Sequence, residues 1–206
     1  QENIKKGDEI LITELEHHSN YVPWHYLRAT KGAVIKFAPI NDDGDIIISK
    51  LKELITSKTK IIAVTHLSNV TGTIVPIKEI VEIARKKNIP VLVDGCQSAP
   101  HIKIDVKDLD CDFYAISGHK VYGPTGVGIL YAKKKWLEKL PPYIGGGGMI
   151  SEVNKDKITY APLPEKYEAG TMPTAEVIAF NESIKFMESI GIQNIIKHEK
   201  ELTSYA

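Results

Sequence analysis

The sequence predicts an α/β fold with a mostly parallel central sheet and helices on both of its faces. Three observations lead there. Short runs that are apolar at every position, such as Ile61-Ile62-Ala63-Val64 and Val91-Leu92-Val93, read as strands buried on both sides. Amphipathic helical stretches alternate with them. Polar residues gather where the strands end, at 17–20, 66–73, 94–97 and 117–120, and ligands in such sheets sit outside the carboxyl ends of the strands.

Taken in order, 9–13 is apolar enough for a first strand, 22–29 reads as a helix and 33–37 as a second strand. Asn41-Asp42-Asp43-Gly44 is a turn cluster. A short amphipathic helix over 49–56 follows, with Ser49 placed to cap it. Residues 60–65 form a buried strand, and the loop 66–75 after it is polar and contains Gly72. Pro76 opens a helix to about Lys87; Ile77, Ile80, Val81 and Ala84 share one face, and Arg85, Lys86 and Lys87 complement the dipole in the last turn. Residues 90–94 are a buried strand ending in a carboxylate, and 112–117 and 127–131 are two further strands. After Leu140 the pattern turns irregular, through Pro141-Pro142 and the run from Gly145 to Gly148, and a helix over 175–189 closes the chain. The expected division is a large domain over 1–160 and a continuation, 161–206, into a helix leading toward a smaller C-terminal domain.

At 206 residues, 43% hydrophobic and 25% charged, the chain is long enough to bury a real core. Its 26 basic and 26 acidic residues cancel, so no basic surface advertises nucleic acid or an anionic membrane, and a small neutral or amphoteric ligand fits better. No apolar stretch reaches the roughly 18 to 20 residues that cross a bilayer, and the first residues lack the apolar core of a signal peptide. Cys96 and Cys111 are too few for a disulfide framework and match no common zinc spacing. A cytoplasmic protein with reduced thiols is expected. A start without Met that enters a strand almost at once, and a stop soon after a helical pattern, predict a portion of something longer.

The strand ends carry the chemistry. Lys120 follows the strand 112–117 in a loop with Gly118 and Gly123, which allow close backbone approach to a ligand. A lone lysine is ordinarily a solvated surface residue, but an amine at a strand end can also serve as a nucleophile. Asp94 ends a strongly apolar strand, where a carboxylate calls for a cation, a helix cap or a structural ion pair. Gln97 lies three residues on. Ser117 and His119 flank the lysine loop and can donate to a phosphate, or can form a turn with a satisfied imidazole. His17 heads the segment Glu16-His17-His18-Ser19-Asn20 and can stack on a planar ring; as a tandem pair with His18 it lacks a carboxylate or Cys at metal-ligand spacing. An amine, a buried acid, a ring clamp and phosphate donors are together what pyridoxal 5'-phosphate, an aldehyde cofactor with a pyridine ring, demands of a protein. A nucleotide-binding or scaffold module is the competing reading, and neither Gly-x-Gly-x-x-Gly after the first strand nor a Walker A lysine pattern occurs.

The segments Glu16-His17-His18-Ser19-Asn20 with Val22-Pro23-Trp24, Ser68-Asn69-Val70-Thr71-Gly72-Thr73, Val93-Asp94-Gly95-Cys96-Gln97 and Asp110 to Lys120, with Gly123-Pro124-Thr125-Gly126 and Glu168-Ala169-Gly170-Thr171, closely resemble the SufS-type cysteine desulfurases. The resemblance covers most of the chain. It implies the large domain of a fold-type-I pyridoxal phosphate enzyme of the class V aminotransferase group, which turns L-cysteine, or selenocysteine, into alanine and passes the sulfur to an acceptor protein for iron–sulfur cluster assembly. It also implies roles: Lys120 as Schiff-base lysine and proton shuttle, Asp94 on the pyridine nitrogen, Gln97 on the phenolic oxygen, His17 on the ring face as a second catalytic residue, and Ser117 and His119 on the phosphate. Asn69 is implied beside the cofactor and the substrate carboxylate. Thr171 is implied at the phosphate of a partner subunit's cofactor, hence a homodimer. Three parts of the pattern fall outside the chain: a Thr-rich phosphate loop before Gln1, and the nucleophilic cysteine and substrate-binding arginine after Ala206. Cys96 is not expected to replace that nucleophile, because it lies two residues from Asp94 on a rigid strand end. The rivals within the group are an aminotransferase, epimerase or lyase acting on another amino acid, or a non-catalytic fragment.

Overall fold

A computed structural model of the chain describes residues 3–206. Its strands are β1 (Glu9–Thr13), β2 (Val34–Ala38), β3 (Thr59–Thr65), β4 (Val91–Asp94), β5 (Phe113–Ser117) and β6 (Gly128–Ala132). They form one six-stranded sheet in the order β2-β1-β3-β4-β5-β6. The first five are mutually parallel and β6 runs antiparallel to β5. The predicted mostly parallel sheet is therefore present. The order reverses at β1: the chain steps outward to β2, then returns to place β3 on the other side of β1. Ligands gather at such a switch, outside the carboxyl ends of the strands.

Helices cover both faces. They are α1 (Val22–Lys31), α2 (Ile48–Leu54), α3 (Ile77–Arg85), α4 (Ser98–His101), α5 (Val106–Leu109), α6 (Lys134–Lys139), α7 (Thr174–Ile190) and α8 (Ile192–Tyr205). Because successive strand residues point to opposite faces, β1 divides its apolar side chains between two cores. Ile10 and Ile12 pack with Leu27 of α1 and Ala63 of β3. Leu11 packs with Leu51 of α2, with Ile62 and Val64 of β3, and with Ile77, Ile80, Val81 and Ala84 of α3. The last four are the face anticipated from periodicity, and all are buried. Burying each such Ile, Leu or Val contributes about 1.5–3 kcal/mol.

Charged groups also sit within this frame. Glu9 is only 8% exposed at the start of β1. Lys36 of β2 pairs with its carboxylate at 2.9 Å, and the hydroxyls of Thr56 and Thr59 donate to the same oxygen. Among the described residues, no helix is long and apolar enough to cross a membrane.

Three local expectations are corrected. Ser49 does not cap α2; the cap position is Ile47, in extended backbone and without a side-chain bond. The helix entry is set instead by burial of Ile46 and Leu51. The stretch after Leu140 is not wholly irregular, since β7 (Ile150–Val153) and β8 (Ile158–Tyr160) form an antiparallel hairpin. In its turn the Asn154 side chain accepts from the backbone N–H groups of Asp156 and Lys157. The helix over 175–189 is present as α7, but α8 follows it after Gly191 and packs back on the sheet domain, where Glu199 meets His101 at 2.8 Å.

Candidate functional site at the carboxyl edge of the sheet

The ends of β3, β4 and β5 lie side by side, with Thr65 opposite Asp94 and Asp94 opposite Ala115. Beyond the ladder, the His66 N–H donates to the Asp94 carbonyl and the Gly95 N–H to the Ala115 carbonyl, each at 2.9 Å. These bonds hold the turn after β4 in line with its neighbours. The Asp94 carboxylate accepts from the Cys96 N–H at 3.0 Å. The sequence called for a cation, a cap or an ion pair here; no Lys, Arg or His among the described residues lies within ion-pair distance.

Cys96 connects this turn to the lysine loop. Its Sγ is 3.3 Å from the Ser117 hydroxyl at the end of β5, and burial pushes its thiol up, with the Asp94 charge acting in the same direction and Lys120 against it. Lys120 closes the single 3-10 turn, Gly118–Lys120, that follows β5; it is half-buried and paired with no carboxylate among the described residues. The glycines here are also required by the packing of the loop itself. A Cβ on Gly118 would lie 2.8 Å from the Val127 carbonyl oxygen, and one on Gly123 would lie 2.8 Å from the Gly118 carbonyl oxygen and 2.9 Å from the Phe180 ring. They let the lysine loop fold onto itself, onto β6 and onto α7.

On the other side of Asp94, the loop after β1 is anchored by Glu16. One oxygen of its carboxylate accepts from the Thr13 hydroxyl at 2.6 Å and the Thr65 N–H at 3.0 Å, the other from the Asn20 amide at 2.6 Å. Burial pushes the Glu16 carboxyl up to about 7 despite these bonds, and the nearby Asp94 charge adds to the shift. His17, next in the chain, is exposed and precedes a short 3-10 turn over His18–Asn20. Its Nδ1 accepts from the Ser19 N–H at 3.1 Å, which assigns the proton of the neutral ring to Nε2.

The structure thus brings Asp94, Ser117 and Lys120 to neighbouring strand ends. Gln97 follows on the turn that leads into α4 and makes no cap bond. Ser117 and His119 separate: the hydroxyl meets Cys96, whereas the imidazole is exposed. Asn69 is exposed at the tip of the loop after β3, which is closed by the Ser68 hydroxyl accepting from the N–H groups of Val70 and Thr71. Among the described residues, Thr171 shares no hydrogen bond with this cluster. It is exposed after Gly170, whose N–H donates to the Gly147 carbonyl at 2.8 Å, so its loop packs on the glycine run.

Four residues of the edge have no role assigned to them by the sequence. Glu16 was quoted only as part of a motif, and its burial shows itself only once β1 and β3 are adjacent. His66, Ser98 and Tyr114 form a buried polar cluster behind Asp94: the Tyr114 hydroxyl is 2.9 Å from His66 Nδ1 and 2.6 Å from the Ser98 hydroxyl. The available signal was Tyr114 itself, a phenol in an otherwise apolar strand, which needs a partner when buried.

Comparison with known proteins follows the same lines. The protein named "Probable cysteine desulfurase" from Halalkalibacterium halodurans is 50% identical over 204 residues, which are 99% of this chain and 50% of that protein. The solved cysteine desulfurase CsdA from Escherichia coli superposes with a TM-score of 0.90 at 40% identity, over 94% of this chain and 48% of that one. A lysine-to-alanine mutant of C-DES, with glycine covalently linked to its PLP cofactor, superposes with a TM-score of 0.82 at 29% identity, over 92% and 51% of the two chains. The chain spans about half the length of most of the curated relatives it matches and about a third of others. All of it, residues 1–206, matches the family described as Aminotransferase class-V, and with a fold and strand-end site of this kind the chain belongs to that family.

Proposed function

We propose that the chain is the cofactor-holding portion of a pyridoxal 5'-phosphate enzyme that removes sulfur from L-cysteine and leaves alanine. One observation carries the reading: Lys120 and Asp94 stand on adjacent strand ends, bridged by Cys96 and Ser117, and neither has an oppositely charged protein partner among the described residues. A free amine and a free carboxylate so placed fit an aldehyde and a pyridine nitrogen in one ligand. Glycine bound through the PLP cofactor in C-DES supports the assignment.

Bound pyridoxal phosphate supplies an aldehyde for amines and an electron-withdrawing ring that stabilises charge at the substrate α-carbon. The residues do the rest. Lys120 Nζ would hold the aldehyde, and as a free amine it would take and return the substrate α-proton. Asp94 keeps the ring nitrogen protonated, and Gln97 donates to the phenolic oxygen. His17 covers the ring face, Ser117 and His119 hold phosphate oxygens, and Asn69 lies toward the substrate carboxylate. Thr171 serves the phosphate of the partner's cofactor in a homodimer. Cys96 does not receive the sulfur, because its thiol is half-buried, raised by burial and engaged with Ser117. A thiol elsewhere in the whole protein accepts it and hands it to an acceptor protein for iron–sulfur cluster assembly in the cytoplasm. Selenocysteine is a second substrate of the same chemistry. Residues 1–160 are the large domain in this reading, and 161–206 lead toward the smaller one.

The test is colour followed by product. The whole protein loaded with pyridoxal phosphate is expected to be yellow, to lose its visible band in Lys120→Ala, and to form alanine from cysteine. A colourless wild type in excess pyridoxal phosphate refutes the cofactor assignment. A keto acid in place of alanine refutes the desulfurase and favours an aminotransferase.

A further inference from the structure

Behind the Asp94 turn, three buried side chains form a chain of hydrogen bonds whose direction is set by its far end. Ser98 Oγ lies 3.1 Å from the Gly95 carbonyl, which can only accept, so the Ser98 proton points there. Ser98 Oγ is then the acceptor for the Tyr114 hydroxyl at 2.6 Å. With its proton committed to Ser98, the Tyr114 oxygen accepts from His66 Nδ1–H at 2.9 Å. The order is His66 to Tyr114 to Ser98 to Gly95. It requires a proton on His66 Nδ1; burial holds the imidazole down at about 4, so at neutral pH the ring is uncharged and that proton is its single one.

The chain of bonds ends on the Gly95 carbonyl, in the second peptide after the Asp94 Cα. His66 also donates its backbone N–H to the Asp94 carbonyl at 2.9 Å, and Ala99 N–H shares the Gly95 carbonyl with Ser98 at 2.9 Å. The Tyr114 ring fills the space beneath the turn so closely that a Cβ on Gly95 would fall 1.9 Å from its Cε1. The Asp94 and Gly95 carbonyls are thus gripped from the core, while the carboxylate itself has one backbone donor, Cys96 N–H.

We propose that His66, Tyr114 and Ser98 are positioning residues: a one-directional relay that sets the Asp94–Gly95 turn and so aims the Asp94 carboxylate at the ring nitrogen of the cofactor. This rests on the reading of Asp94 and Lys120 given above. None of the three touches the reacting atoms, and they act only through Asp94. Loss of one link leaves the carboxylate present but less well directed, which weakens both cofactor binding and its function as electron sink.

The experiment compares the whole protein with Tyr114→Phe, which keeps the ring and removes the hydroxyl, with Ser98→Ala, and with the double variant. Affinity for pyridoxal phosphate is measured by fluorescence titration of cofactor-free protein, alongside kcat and KM for cysteine and the thermal midpoint without cofactor. Each single variant is expected to lose about tenfold in cofactor affinity, the scale of one buried hydrogen bond, and to lower kcat more than it raises KM. The double variant is expected to fall close to the singles, because both break one relay. Thermal midpoints that drop with cofactor affinity and kcat unchanged overturn the relay as a positioning device. So do losses that multiply in the double variant. Lys120→Ala is the independent control: if it abolishes the visible band while the relay variants bind and turn over normally, the relay fails and the cofactor assignment stands. If wild-type protein takes up no pyridoxal phosphate, both fail.

Discussion

Replacing Glu16 by Gln separates two buried groups whose titrations oppose each other. Glu16 rises from an ordinary 4.5 to about 7 in the folded protein, chiefly by burial. The folded state therefore keeps a proton that the unfolded chain gives up, and the associated stability, complete below 4.5, is lost as pH rises toward 7. At 1.36 kcal/mol per pKa unit the loss is about 3 kcal/mol. His66 runs the other way. Burial lowers it from 6.5 to about 4, so its contribution is complete above 6.5 and is lost as pH falls toward 4, again about 3 kcal/mol. Between 4.5 and 6.5 the unfolded chain carries the proton on His66 and the folded protein carries it on Glu16, so the two slopes cancel. Glu16→Gln removes one of them. The amide oxygen can still accept from Thr65 and Thr13, and the lost acceptor for Asn20 is a pH-independent offset of about 1 kcal/mol. Urea unfolding of cofactor-free protein in steps from pH 4.5 to 7 is expected to show the variant gaining about 3 kcal/mol relative to wild type across the range. A constant difference, or one that shrinks with pH, refutes the assignment of the raised carboxyl to Glu16.

Two further substitutions probe the frame that holds the site. Lys36→Met leaves the buried Glu9 carboxylate with only Thr56 and Thr59 as donors, and is expected to cost about 3 kcal/mol in urea unfolding at pH 7, less at a pH low enough to protonate Glu9. Gly95→Ala sets a methyl 1.9 Å from the Tyr114 ring, so it is expected to lose stability by about 3 kcal/mol and cofactor affinity with it; a thermal midpoint and affinity equal to wild type would mean that the turn after β4 is not held as described.

How far the sequence exposed these features depends on the kind of signal each left. The α3 stripe of Ile77, Ile80, Val81 and Ala84 was legible because burial on one side imposes a helical period. The central strands were legible because burial on both faces removes polar residues altogether. The β7–β8 hairpin left no such trace: β7 is exposed throughout and β8 nearly so, and the turn is made by Asn154, not by a Gly pair. The second closing helix was missed because Gly191 marks an end to α7 without marking a beginning, although α8 starts one residue later. Within the site, Lys120 and Asp94 were readable as polar groups at the ends of apolar runs. Glu16 was not, since a carboxylate directly after a buried leucine looks the same whether it faces solvent or crosses to another strand.

The crossing of Glu16 shows how the sheet edge is held where β1 and β3 part. Pairing between β1 and β3 ends at Leu11 and Ile62, whereas β3 continues against β4 to Thr65 and Asp94, and β1 continues against β2 to Thr13 and Ala38. Past Ile62 the two strands therefore part toward the carboxyl edge, at the place where the strand order reverses. A gap between parallel strands strands backbone donors, and a buried N–H must find a partner. Thr65 N–H finds the Glu16 carboxylate, 3.0 Å away, in place of a backbone carbonyl of β1. The same side chain ties down Asn20, and so the turn that begins at His17. One acid thus closes the ladder where the sheet splits and carries the loop from one side of the split to the edge where Asp94 and Lys120 stand. Its cost is a desolvated carboxyl, which is why the opening of the site and the raised Glu16 are one feature of the topology.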